Sequence, residues 1–212
     1  MKAIIGVIDF GMGNIQSVIN GFEAIGKEVI KIDSPSSLSK LHGIVLPGVG
    51  AFAQGMENLK KLGFDDALYE EIIIKKKPFL GVCMGLELLA TSSSEHGEHL
   101  GLNWIKGKVE LMKVDSDNKN VRIPHIGWNN LKNFSKTEFF SGIDENPDFY
   151  FVHSYCLVPE DASIITSICN HGVDFVSSIQ KENIIATQFH PEKSQGNGLK
   201  LLNNWYRLID NA

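Results

Sequence analysis

The stretch Phe79-Leu80-Gly81-Val82-Cys83-Met84-Gly85-Leu86 is an apolar run that ends at a cysteine with a glycine two residues to either side. The pattern predicts a buried strand that turns sharply at Cys83 into a helix. Glycines suit such a turn because a side chain two residues either way would collide with the neighbouring strand or helix. The thiol is expected to be left exposed near a helix N-terminus, where free backbone N–H groups and the helix dipole favour the reactive thiolate. A buried structural cysteine explains this segment alone equally well, since free cysteine is among the most buried residue types.

Two further segments supply what a cysteine nucleophile needs. Ala186-Thr187-Gln188-Phe189-His190-Pro191-Glu192 ends a strand-like run with a histidine and a glutamate two residues apart. His190 is the candidate base and Glu192 the group that holds its tautomer, with Pro191 limiting how far the two side chains diverge. A surface turn after an edge strand is the plainer alternative. Gly43-Ile44-Val45-Leu46-Pro47-Gly48-Val49-Gly50 is an apolar strand that opens into a glycine-rich loop. Acyl transfer from an amide creates a tetrahedral oxyanion that backbone N–H groups stabilise, and Gly48 and Gly50 let the backbone approach a substrate. An ordinary turn accounts for the glycines but not for their place after a buried strand.

Together these segments resemble the triad (class I) glutamine amidotransferases. Within them the chain resembles the branch formed by the glutaminase subunits of imidazole glycerol phosphate synthase. The likeness also rests on Asp9-Phe10-Gly11-Met12-Gly13-Asn14, Ile123-Pro124-His125-Ile126-Gly127-Trp128-Asn129, Phe149-Tyr150-Phe151-Val152-His153-Ser154-Tyr155 and His190-Pro191-Glu192-Lys193-Ser194. The resemblance implies that Cys83 attacks the side-chain carbonyl of L-glutamine, with Val49 and Met84 N–H groups as oxyanion donors and His190 and Glu192 completing the triad. Gly48, Gly50 and Glu87 would bind substrate. Ammonia would pass to a (β/α)₈-barrel cyclase subunit of histidine biosynthesis, in a heterodimer contacted through Asn14, Trp128 and Lys193. Neither a cofactor nor a metal is implied. One position departs from the branch, which usually has glutamine four residues after the nucleophile where this chain has Glu87. Such a carboxylate opposes a facing thiolate, yet it can receive the substrate's α-ammonium group. A paralogue supplying ammonia for surface-sugar (lipopolysaccharide or nonulosonate) synthesis, a non-catalytic binding subunit of the same fold and a cysteine hydrolase or peptidase stay open as alternatives.

The rest of the chain predicts one domain over residues 1–212. Apolar or alternating runs at 3–8, 28–32, 44–46 and 79–83 read as strands, with helices at 14–25 and 64–76. From about residue 104 the pattern becomes a series of short strands at 109–114, 121–126, 148–152, 164–168, 174–179 and 184–189, followed by a helix at 198–209. The expected fold is a three-layer α/β/α, flavodoxin-like domain whose central sheet is parallel in its first half and mixed in its second, with the triad at the strands' carboxyl ends. A net charge of -5 argues against a nucleic-acid surface, and the Lys75-Lys76-Lys77 run reads as a solvated helix end. Three cysteines without paired spacing suit a reducing cytoplasm, with Cys156 and Cys169 as core residues. Met1 to Ile8 is too short for a signal peptide, and no apolar run approaches the ~18 residues of a membrane span. Gly11-Met12-Gly13-Asn14-Ile15-Gln16 lacks the third glycine of a dinucleotide fingerprint, and His96-Gly97-Glu98-His99 lies in a polar loop without a third ligand. His153 is a rival base without an adjacent carboxylate, and a packing or interface role is expected for it.

Overall fold

A computed structural model describes residues 3–114 and 121–210. Its first part alternates β1 (Ile5–Ile8), α1 (Ile15–Ala24), β2 (Val29–Ile32), β3 (Gly43–Gly48), α2 (Phe52–Lys61), α3 (Phe64–Leu68) and β4 (Phe79–Cys83). The short helix α4 (Met84–Glu87) leads to β5 (Ala90–Ser93), β6 (His99–Leu100), β7 (Ile105–Leu111), β8 (His125–Phe134) and β9 (Asp148–His153). Then come β10 (Tyr155–Pro159), β11 (Ile165–Asn170), β12 (Asp174–Lys181), β13 (Ile184–Thr187) and α5 (Gln195–Asp210).

Nine of these strands form one sheet in the order β2-β1-β3-β4-β13-β12-β11-β8-β9. Pairing is parallel from β2 to β13 and antiparallel from β13 to β9. The expected sheet, parallel first and mixed overall, is therefore the one observed. Alternate residues of the central strands feed two separate cores, because successive side chains in a strand point to opposite faces. Ile8, Ile44, Leu46, Phe79 and Ile184 meet Phe52, Met56, Leu59, Phe64 and Leu68 of α2 and α3. Ile5, Val7, Val45, Leu80, Val82 and Ile185 meet Val18 and Phe22 of α1 and Leu201, Leu202, Trp205 and Tyr206 of α5. A sheet buried on both faces with helices outside is the three-layer arrangement. Each large side chain so buried contributes about 1.5–3 kcal/mol, which is why the central strands carry no polar alternation.

Local chemistry explains the element ends. Asn14 caps α1 by accepting the Ser17 N–H at 3.1 Å, and Gly26 follows the helix with φ +72°. The helix expected over 64–76 is α3 followed by a π-helical stretch, Tyr69–Ile74. The basic run after it corrects one expectation. Lys75 and Lys76 are exposed, but the Lys77 side chain is only 12% exposed, paired with Glu71 at 2.7 Å and donating to the Leu38 carbonyl at 2.7 Å. The buried Glu71 carboxylate requires that partner. The strand expected at 121–126 begins only at His125, after Pro124, which has no N–H for a ladder. A second sheet, ordered β10-β7-β5-β6, was not expected at all. No helix among the described residues is long and apolar enough to cross a membrane.

Candidate active site

At the carboxyl end of β4, Cys83 has φ 54° and ψ -109°, in the left-handed half of backbone space that a residue with a side chain rarely adopts. The flanking glycines make this turn possible. A Cβ on Gly81 would lie 2.7 Å from the Gly85 carbonyl oxygen, and one on Gly85 would overlap the Leu46 carbonyl oxygen. Met84 is the first residue of α4, a position where a helix leaves its N–H groups without internal partners. Gly48 pairs with Cys83 across the β3–β4 ladder, which brings Val49 and Gly50 beside the turn.

The thiol departs from the expectation of exposure: Cys83 is 5% exposed. The segment from Val152 to Tyr155, where β9 gives way to β10 at Ser154, comes over the elbow, and the Val152 carbonyl lies 3.9 Å from Cys83 Sγ. The sulfur therefore opens on a cavity of about 240 Å³ instead of on the surface. Its walls are Val49, Gly50, Met84, Glu87, Glu95, Pro124 and the residues from Val152 to Tyr155. That volume lies below the range for drug-sized ligands and suits a small polar metabolite. Cys156 and Cys169 are buried, and burial pushes each thiol up to about 12, so both stay protonated at neutral pH.

His190 follows β13, the strand hydrogen-bonded beside β4, so thiol and imidazole emerge at the same end of adjacent parallel strands. Its backbone N–H donates to Tyr150 at 2.9 Å, and its carbonyl accepts from the Ser194 hydroxyl. His190 Nδ1 and Glu192 Oε1 are 2.7 Å apart, both side chains being buried. The opposite nitrogen, Nε2, is buried without a hydrogen-bond partner. Burial works against a charged ring here, but the Cys83 sulfur and then the Glu192 carboxylate outweigh it and raise His190 to about 10. The arrangement therefore favours an imidazolium at His190 near neutral pH.

Glu87 lies one helical turn beyond Cys83 and faces the cavity, buried, where it accepts the Gln188 side-chain N–H at 2.8 Å. Burial raises it to about 7; the Gln188 hydrogen bond opposes this, Glu95 adds to it and His190 opposes it. Two residues were not singled out in the sequence: Glu95, in the cavity wall, and Gln188, buried behind it against Glu87. Glu95 accepts the Phe52 N–H that opens α2 at 2.6 Å, and Gln188 also points its amide toward Cys83 Sγ, 4.0 Å away. An amide two residues before His190, in an otherwise apolar run, was the only hint of the second.

The residues expected at a partner surface fall differently. Trp128 is 44% exposed and meets Tyr150 edge to face, and Lys193 Nζ stands 5.7 Å from the same ring. The exposed Asn14 uses its side chain to cap α1. The loop before it lies against the Pro47–Gly50 segment: a Cβ on Gly13 would be 3.4 Å from Gly48 Cα. His153 is buried and hydrogen-bonded to His125. His96 and Glu98 are exposed.

The profile of the glutamine amidotransferase class-I family matches residues 6–208. Imidazole glycerol phosphate synthase subunit HisH of Aquifex aeolicus is 48% identical over 202 residues, 95% of each chain. Subunit HisH 1 of Campylobacter jejuni (strain RM1221) is 44% identical over 205 residues, 97% of this chain and 100% of the relative. Among solved structures, PurLQS from Thermotoga maritima superposes with a TM-score of 0.74 at 16% identity, covering 99% of this chain and 100% of the other. A glutamine amidotransferase from the same organism gives 0.64 at 18% identity, covering 100% and 84%.

Proposed function

The chain belongs to the glutamine amidotransferase class-I family, and from that membership we propose that it is the glutaminase subunit of imidazole glycerol phosphate synthase. The observation that carries this reading is the 48% and 44% identity, over nearly the whole chain, to two synthase subunits of that name. The triad geometry supports the chemistry. Cys83 thiolate attacks the side-chain carbonyl carbon of L-glutamine, and the oxyanion is received by the Val49 and Met84 N–H groups. His190, held by Glu192, gives its Nε2 proton to the departing nitrogen as the C–N bond breaks, releasing ammonia and leaving a thioester on Cys83. His190 then takes a proton from water as the water attacks, and glutamate leaves with the thiolate restored. Gly48 and Gly50 allow the close approach, while the carboxylates of Glu87 and Glu95 face the substrate's α-ammonium.

The subunit works in the cytoplasm as one domain over residues 1–212, paired with a (β/α)₈-barrel cyclase. Trp128, Lys193 and Asn14 lie on the docking side. Ammonia must cross directly to the cyclase because free ammonia is mostly ammonium at neutral pH. The cyclase uses it to make imidazole glycerol phosphate and an aminoimidazole carboxamide ribotide. The test is to assemble the chain with such a cyclase and drive turnover with glutamine or with ammonium salt. Cys83→Ala should abolish glutamine-driven turnover and leave ammonium-driven turnover unchanged. An Ala variant that still uses glutamine would refute the nucleophile, and a parent complex that uses only ammonium would refute the function.

A further inference from the structure

Beside the cavity wall lies a run of buried and part-buried hydrogen bonds that the proposed reaction does not use. His153 Nδ1 meets the Tyr155 carbonyl at 2.8 Å, His153 Nε2 meets His125 Nδ1 at 3.1 Å, and His125 Nε2 meets Asn129 Nδ2 at 3.2 Å. Only one assignment of hydrogens satisfies every contact. The Tyr155 carbonyl can only accept, so His153 carries its proton on Nδ1 and its Nε2 accepts. His125 must then carry its proton on Nδ1, leaving Nε2 to accept from the Asn129 amide. That amide cannot turn over, because its Oδ1 accepts from the Asn130 N–H at 2.9 Å while its Nδ2 also donates to the Asn170 carbonyl at 2.8 Å.

An extra proton on either ring would bring two donors face to face. The surroundings resist one: His125 is stacked between Phe151 and His171, at ring distances of 4.8 and 4.0 Å, and Phe175 lies edge-on to it and 4.9 Å from the His153 ring. His171 and His190 are the titratable groups that face this pair. Burial, then the nearby His153 and His171, hold His125 down at about 3; burial holds His153 down at about 4, against the Tyr155 hydrogen bond and helped by His171 and His190.

We propose that His125 is a positioning residue for the glutamine reaction. As a neutral ring it passes a hydrogen bond from Asn129 to His153 and so fixes the cavity wall at Ser154 and Tyr155 relative to the β8 segment that carries Trp128. The role rests on the glutaminase reading given above. It links two places: His153, Ser154 and Tyr155 line the cavity, and Asn129 follows the exposed Trp128 in β8.

Two measurements test it. In the assembled complex, His125→Phe keeps the stacked ring but loses both hydrogen bonds, and KM for glutamine should rise about tenfold, the scale of one buried hydrogen bond, with a smaller change in kcat. His125→Asn places an amide donor where Nδ1 stood and should restore KM to within about twofold of the parent. Co-elution of the two subunits in size-exclusion chromatography reports that each variant still assembles. Independently, long-range ¹H–¹⁵N spectra of the histidine-labelled parent chain at pH 6 should show both rings neutral and protonated on Nδ1. A His153 proton on Nε2, a cationic ring at that pH, or a His125→Phe complex with the parent KM would overturn the assignment. Should the parent complex prove inert toward glutamine, the glutaminase reading fails, while the spectra still decide the hydrogen-bond order.

Discussion

Glu87 joins a proposed contact with the substrate to a cost in stability. Its carboxylate is buried and raised to about 7, so near neutrality it is partly protonated. A bound α-ammonium favours the ionised form, hence KM for glutamine should rise as pH falls from 8 to 6. In Glu87→Gln that pH dependence should vanish and KM at pH 8 should be higher, both measured with saturating cyclase. Stability runs the other way. A carboxyl whose folded pKa lies above its unfolded value of 4.5 stabilises the fold below that value, and the contribution is lost as pH rises through about 7. At pH 8 the Gln variant should therefore be more stable by ~2–3 kcal/mol in urea unfolding, because no buried charge remains. A parent KM that is flat with pH would remove Glu87 from substrate recognition. Cys83, His190 and Glu192 were readable in the sequence because each sits in a short motif whose neighbours explain it. Glu95 and Gln188 were not, since they lie just past β-strand ends and their partners, Phe52 and Glu87, are distant in the chain.

At the level of elements, the elbow is the least tolerant feature. Gly85→Ala would drive a methyl group into the Leu46 carbonyl, and neither α4 nor β3 can withdraw without opening the sheet. We expect a loss of at least ~3 kcal/mol, measured by urea unfolding, and no covalent labelling by a glutamine-analogue electrophile. Full labelling with parent stability would show that the turn is looser than its contacts imply. The parallel half of the sheet was readable because β1, β3, β4 and β13 are continuous apolar runs, as burial on both faces demands. Two pieces were hidden. Helix α2 buries Phe52, Gly55, Met56 and Leu59, a helical spacing diluted by glycine and polar residues. The β10-β7-β5-β6 sheet includes Ala90-Thr91-Ser92-Ser93, which has little strand character of its own and is ordered by pairing with Ile105, Lys108 and Val109. The same cause shortened the helix expected after Cys83: residues from Leu88 onward turn into that second sheet and leave α4 a single turn.

For the molecule as a whole, we expect activity to depend on the partner subunit. Val49 stands between Gly48 and Gly50, the latter at φ +115°, so we expect the Gly48–Val49 peptide, which carries the Val49 N–H, to be able to turn either that N–H or its C=O toward Cys83. The isolated chain should hydrolyse glutamine about 10²- to 10³-fold more slowly than the complex with its cyclase and the cyclase ligand, the usual cost of one missing oxyanion donor. Stopped or steady-state glutamate release with and without the partner measures this, and equal rates would refute it. The strand order has another implication. β4 is flanked by β3 and by β13, which begins about a hundred residues later in the chain. While the polypeptide is being synthesised from its N-terminus, the nucleophile-bearing strand leaves the ribosome with one edge unpaired and no histidine beside it. Only when the last strand slides into that slot does the sheet close and the cysteine gain its base. A nascent chain that has not yet reached β13 thus holds a thiol without its expected base, and residues about a hundred positions downstream are the ones that arm it.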